Sequence, residues 1–266
     1  PIYYLLNETS YLGFASRPLV AFPLVVGNPL VVETVVGTEA AFASAFEVVA
    51  AAFDVNLPVA QKKLVVQQVK QVVHVLHKQQ ALPAAMSEAE AVELFSACYP
   101  LHPVSALLLP SLAQKIAQNE RTLFSYLGSH EEYGLQHMLQ QLSVGDWIYP
   151  QHIYDYFITN QSSALGDYLT HRRWVEVVSA VERLAAQSEV EVNLLKTIGI
   201  LNIVGSKAGF KPSPAILQTC FQVKQWKLAI EQLTEQSLVT FRRYSGEYRV
   251  WQGSDFDLED AVQEEL

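Results

Sequence analysis

Cysteine is almost missing from this chain. Of 266 residues only Cys98 and Cys220 are cysteines, far apart and outside any CxxC spacing. That excludes a disulfide framework and a cysteine zinc site, and it fits a reducing cytoplasm. Basic residues are also short: 18 Lys and Arg face 27 Asp and Glu, a net charge of −9. Nonspecific nucleic-acid binding rests on phosphate neutralisation, so this balance weighs against it. No basic segment followed by an apolar one opens the chain, so no secretory leader is read. Residues 18–32 are uncharged, but Pro18, Pro23, Gly27 and Pro29 interrupt them. The run is too short and too broken to span a membrane. The chain starts at Pro1 rather than Met, which suggests a processed product or a piece of something longer. GxSxG is absent, and the adjacent carboxylates Glu131 and Glu132 sit in a polar run where nothing raises a pKa. No catalytic residue and no metal ligand set are assigned.

Apolar residues make up 50% of the sequence, enough for a substantial core, and most of them recur at helical spacing. Residues 1–37 are the least readable; Pro18 to Val36 suggests one or two buried strands or an extended segment. Thr38 can cap a helix over Glu39–Phe53. Pro58 suits the first turn of a helix over Val59–Gln80, with Leu64, Val65, Val69, Val72, Val73 and Leu76 on the apolar side. Ala81–Ala85 reads as a linker. Ser87-Glu88-Ala89-Glu90 is a capping box opening a helix to about Cys98. Tyr99-Pro100-Leu101-His102-Pro103 breaks it. Further helices are expected at 103–118, from Asn119 through Leu127, at 133–142, at 150–160 and at 174–187.

The last third reads as helices over 190–203, 213–221 and 223–236, then a β-hairpin. Two runs rich in aromatic and β-branched residues flank Ser245-Gly246, a dipeptide able to turn a hairpin. Ser254 or Asp255 can cap a following acidic helix. Three helices and a two-stranded wing is the order of a winged helix. Its third helix places Val223, Trp226, Ile230 and Leu233 inward. Lys224, Lys227, Glu231 and Glu235 face outward and sum to zero charge. A groove-entering helix usually carries an excess of Lys, Arg, Asn or Gln. Arg242, Arg243 and Arg249 make the wing locally positive, and the acidic run after Trp251 opposes them. On charge, an interaction module is favoured over a DNA reader.

Two segments resemble a known family. Tyr99-Pro100-Leu101-His102-Pro103, with Gln118-Asn119-Glu120-Arg121-Thr122-Leu123-Phe124-Ser125-Tyr126-Leu127, is similar to a signature of large bacterial P-loop ATP-binding proteins of the AAA+/STAND kind. Some of these belong to phage-defence systems. Leu194-Leu195-Lys196-Thr197-Ile198-Gly199-Ile200-Leu201-Asn202, with Trp251 to Asp257, resembles the winged-helix region after their ATPase core. The likeness covers about residues 82–266. It implies a mainly α fold: an uncertain α/β or helical segment at 1–81, a helical lid-like domain at 82–187, and a winged-helix domain at 188–266. No GxxxxGK[ST] occurs in the chain, and that motif's backbone and lysine form the phosphate cradle. The resemblance therefore implies a non-catalytic regulatory or assembly region. ATP and Mg²⁺ belong to the parent protein, and the partners are its own ATPase core and other subunits.

Within that likeness Arg121 and His102 are nucleotide-sensing candidates. A guanidinium at the start of a lid helix can reach a γ-phosphate held by a neighbouring core. The plainer reading pairs Arg121 with Glu120, Glu131 or Glu132, and has His102 help start the helix at Pro103. Arg242, Arg243 and Arg249 are the nucleic-acid candidates. His74 and His77 lie one helical turn apart without a matching Cys or carboxylate at i+4, so zinc is disfavoured. His130, Glu131, Glu132 and His137 match no metal spacing and read as a solvated turn.

Overall fold

A computed structural model describes residue 49 and residues 57–84, 86–117, 121–160, 168–184, 188–205, 210–221 and 223–251. The expected early strands, most of the helix over 39–53, the caps at Asn119 and Ser254 or Asp255, and the acidic run lie outside the described residues. Within them the chain is mainly helical with one small antiparallel sheet. The helices are α1 (Val59–Lys78), α2 (Glu88–Ala97), α3 (Pro103–Ala117), α4 (Arg121–Gly128), α5 (Leu135–Gln141), α6 (Pro150–Asn160), α7 (Tyr168–Leu184), α8 (Glu189–Val204), α9 (Pro214–Cys220) and α10 (Val223–Glu235). Strands β1 (Val239–Arg242) and β2 (Glu247–Val250) follow. Among the described residues no helix is long and apolar enough to cross a membrane.

Local chemistry explains most boundaries. The Ser87 hydroxyl accepts from the Glu90 N–H at 3.2 Å, while the Ser87 N–H donates to the Glu90 carboxylate at 2.8 Å. Both halves of the capping box are thus present, and two orphan donors are satisfied. Ser213 caps α9 one way only, its hydroxyl accepting from the Ile216 N–H at 3.4 Å, with Pro214 in the first turn. Two boundaries differ from expectation. The α5 helix starts at Leu135, not Tyr133, because Tyr133 takes a left-handed φ of 63°. Its N–H turns to His137 Nδ1 at 3.2 Å. The α7 helix begins at Tyr168, before Trp174; the buried Thr170 is a polar residue that apolar periodicity does not flag.

Helix α8 is the central pillar. It packs against α7, α10, α6, β2, α3 and α9, and it buries Leu194, Leu195, Ile198, Ile200, Leu201 and Ile203 around much of its circumference. A helix apolar on nearly all sides belongs in a core. At its seam with α7 the backbones come close at Gly199, where a Cβ would collide with both Cγ atoms of Val177. One continuous buried cluster runs from α1 through α10 into the hairpin. Leu64 departs from expectation: although in phase with the apolar residues of α1, it is 53% exposed, on the edge of the buried stripe.

In the hairpin Val239 pairs with Val250 and Arg242 with Glu247. The connection is four residues long, Arg243 to Gly246, rather than a two-residue turn at Ser245-Gly246. Gly246 adopts φ 65° and donates to the Arg242 carbonyl at 2.8 Å. A left-handed residue closing a longer loop suits glycine.

Candidate functional site

The Tyr99–Pro103 segment forms a buried junction. Leu101 bridges Ile148 in parallel; the His102 N–H donates to the Ile148 carbonyl at 3.0 Å, and the Ile148 N–H to the Pro100 carbonyl at 2.8 Å. The Tyr99–Pro100 peptide is cis. Tyr99 lies edge-on to Trp147 with ring centres 4.8 Å apart, and its hydroxyl accepts from the Gly145 N–H at 2.9 Å. The polar atoms of this irregular segment are thereby satisfied inside the protein.

His102 sits at the centre of the junction and is only 4% exposed. Its Nδ1 accepts from the Val104 N–H at 3.3 Å, which supports the first turn of α3. The ring lies 5.0 Å from Tyr149 and meets Trp147 edge-on at 5.9 Å. Across the core it hydrogen-bonds the Thr219 backbone, and Cys220 Sγ approaches Nδ1 at 3.9 Å. Burial pushes its pKa down to about 3, against a smaller upward pull from the Thr219 bond. The imidazole is therefore neutral and joins the start of α3 to the end of α9. Cys98 and Cys220 are buried too, and desolvation raises both thiols to about 12, which makes them inert.

A second set of polar contacts ties α6 to α8. Lys196 Nζ meets Asp155 Oδ1 at 2.6 Å with both side chains mostly covered. Lys196 also lies 5.9 Å above the Tyr154 ring, and Tyr154 stacks on Trp174 at 5.6 Å. Desolvation raises the Asp155 pKa, opposed by the hydrogen bond and charge of Lys196. Thr197 donates to Gln151 at 3.2 Å. Next to this pair His152 is lowered to about 4, first by burial and then by Lys196. None of these contacts has a sequence signature, because each joins residues on different helices, far apart in the chain.

The hairpin is held by Asn202 of α8. Its Nδ2 donates to the Tyr248 carbonyl at 3.0 Å, and its Oδ1 accepts from the Val250 N–H at 3.0 Å. The Tyr248 N–H donates to the Pro212 carbonyl at 3.0 Å. The three arginines grouped by sequence are unlike one another. Arg249 Nε pairs with Glu247 at 3.0 Å, and the Glu247 side chain is 4% exposed. Arg242 Nη1 donates to the Tyr244 hydroxyl at 2.9 Å. Arg243 is exposed in the turn. Phe241 and Tyr248 pair on the other strand face, 4.8 Å between ring centres.

On α10 Trp226, Ile230 and Leu233 are buried, while Lys224, Lys227, Glu231 and Glu235 are exposed, as the periodicity predicts. Leu228 joins the outer face at 60% exposure. Arg121 is the first residue of α4; its side chain lies outside the described residues, as do Asn119 and Glu120. His74 and His77 do find a carboxylate, but from α2: their Nδ1 atoms stand 3.1 and 3.8 Å from the two oxygens of Glu88. The Ser129–Gly134 stretch is a turn, with the Glu131 N–H and carboxylate both bonded to Ser129 Oγ at 3.1 Å, whereas His137 lies not in that turn but in the first turns of α5. Among the described residues no group of three or more His, Cys, Asp or Glu is arranged to hold a metal. Compared with known proteins, the chain matches no family model, no curated sequence and no solved structure.

Proposed function

We propose that this chain is a non-catalytic regulatory or assembly region of a larger bacterial ATPase, a helical lid followed by a winged-helix unit. In this reading α8, α9 and α10 are the three helices of the winged helix, and β1–β2 is its wing. The supporting observation is the position of α8. The same helix carries the ion pair to α6, the close seam with α7 and the Asn202 clamp on β2. Displacing the lid-like helices therefore displaces the hairpin, which is what a relay between a nucleotide site and a partner surface needs. In the parent protein Arg121, at the start of α4, is the residue that meets the phosphate of ATP bound with Mg²⁺ by the core. His102 acts through the packing of the junction and not by contact.

The balanced charge of the outer α10 face and its exposed Leu228 favour a protein partner, the ATPase core or another subunit, in an oligomer or a regulatory complex. The test is the coding sequence preceding Pro1 and the longer protein it specifies. A phosphate-loop motif there, with hydrolysis slowed roughly 10²–10³-fold by Arg121→Ala at unchanged melting temperature, is expected. Absence of the motif, or unchanged turnover, removes this reading.

A second reading, a winged-helix DNA-binding regulator, draws first on Arg242 and Arg243; Arg249 pairs with Glu247, and Arg242 also donates to the Tyr244 hydroxyl. It predicts submicromolar duplex binding with a salt slope that shrinks when Arg242 and Arg243 become Ala. The expected mobility-shift result near physiological salt is weak binding or none.

A further inference from the structure

The outer face of α10 carries its charges in two blocks. Lys224, Lys227, Leu228, Glu231 and Glu235 are all exposed. They recur at helical spacing and form one stripe opposite the buried Trp226, Ile230 and Leu233. Both lysines lie in the N-terminal half of the helix and both glutamates in the C-terminal half. Leu228, 60% exposed, stands between the blocks.

Little within the chain favours that arrangement. A helix prefers acids in its first turn and bases in its last. In α10 the first turn has no acid, the last has no base, and Glu235 is the final residue. Lys224 and Lys227 are like charges one turn apart, as are Glu231 and Glu235, and each pair repels. Lys227 and Glu231 are opposite charges, but in the weaker order, base before acid. Among the described residues none of the four forms an ion pair.

A second copy running the other way supplies what is missing. The midpoint between Lys224 and Glu235 and that between Lys227 and Glu231 both fall at Ala229 to within half a residue, about 0.75 Å along the axis. One twofold axis beside Ala229 therefore sets the lysines of each copy against the glutamates of the other. Leu228 lies one residue from that axis, so it meets Leu228 of the second copy roughly 3 Å away along the helices. Such a contact is isologous and closes at two copies.

We propose that two copies of this chain associate through α10, packed antiparallel about a twofold axis beside Ala229, with Lys224 opposite Glu235, Lys227 opposite Glu231 and Leu228 against its own counterpart. The two glutamates would repel the phosphates of a nucleic acid, whereas a second copy needs them. The proposal deepens the assembly role given above and rests on that role alone. It requires no ATPase core and none of Arg121, His102, Arg242 or Arg243. A missing phosphate loop upstream removes the ATPase reading and leaves this contact in place; a chain that stays monomeric does the reverse. Exposed ion pairs are individually weak and screened by salt, so the expected dimer is weak and salt-sensitive.

The test is sedimentation equilibrium on the full 266-residue chain. The average mass is expected to rise with concentration from 29.7 kDa towards twice that value, and to rise less at high salt. Lys224→Glu with Lys227→Glu makes the stripe wholly acidic; Glu231→Lys with Glu235→Lys makes it wholly basic. All four positions are exposed, so both variants are expected to fold as the parent does, which melting temperature checks. Each variant alone is expected to associate at least about tenfold more weakly than the parent. Their equimolar mixture is expected to associate as strongly as the parent, because acid again meets base along the whole contact. A parent chain that keeps the mass of one copy at every concentration overturns the proposal. So does association that both charge reversals leave unchanged, or a mixture that fails to recover it.

Discussion

The junction around His102 and the hairpin around Glu247 each bury one ionisable side chain almost completely, and they deal with it differently. His102 is surrounded by Tyr149, Trp147, Cys220 and a peptide group, with no counter-ion, and burial drives it to the neutral form. Glu247 instead has a cation two residues away on the same strand face. A buried charge is tolerated when paired, and a buried base without a partner gives up its proton. The junction is therefore a place of packing, vulnerable to acid. The hairpin is a place of charge, vulnerable to loss of one arginine.

The sharpest break of that comparison is Arg249→Met. It leaves the Glu247 carboxylate buried without its cation, and the expected loss is about 3–5 kcal/mol in urea unfolding, towards the lower end because Arg249 itself is partly exposed. Adding Glu247→Leu should restore much of that loss. A double variant no more stable than the single one would mean that the carboxylate is not the source of the cost.

Acid tests the other side. The unfolded chain protonates histidine near 6.5, but His102 resists until about 3 and His152 until about 4. The folded state binds fewer protons between these limits, so stability is intact above pH 6.5 and falls as pH drops towards 4. Each histidine is expected to remove about 2–3 kcal/mol between pH 6.5 and 4.5. In His102→Gln, melting temperature at neutral pH drops, but its decline with acid becomes shallower than in the parent chain. Parallel declines would show that His102 is not held neutral.

Gly199 probes the seam that joins the two regions. Alanine gains roughly 1 kcal/mol in an open helix, yet here its methyl meets Val177 from the opposing helix. Gly199→Ala is expected to cost a net 1–3 kcal/mol, about the range for overpacking; a stabilised variant would place the helices further apart. Ser87→Ala, far from both regions, should cost only about 1 kcal/mol through the lost cap. It should leave the decline through the histidine range unchanged, because the Ser87 hydroxyl holds down only the Glu90 carboxyl, whose contribution is lost in stronger acid; that makes it the reference for the other three.

Much of the helical order was legible along the chain because periodicity and caps are local. The inward face of α10, the capping box at Ser87 and the hairpin after Leu238 all follow from residues within a few positions of one another. The hairpin's four-residue connection did not, since its closure depends on Gly246 taking a left-handed backbone. The candidate site was less legible. His102 between Leu101 and Pro103 was legible as a residue at the entry to a helix, but its attachment to Thr219 joins residues more than a hundred positions apart. Arg173 carried no signal beyond being one of two adjacent arginines. Glu176 is bound by Arg172, a pairing that only side-chain placement decides.

The sequence by itself determined a mainly helical chain, its capping residues, the apolar stripes, the acidic balance and the absence of a phosphate loop, because each depends on residue type and short spacing. Tertiary structure alone decided that α8 is the shared pillar, that His102 is buried and neutral, that Asn202 clamps the β2 backbone, and that Arg249 pairs with a buried Glu247. Those outcomes depend on which distant groups meet, and burial and pairing energies, unlike helical periodicity, have no value until they do.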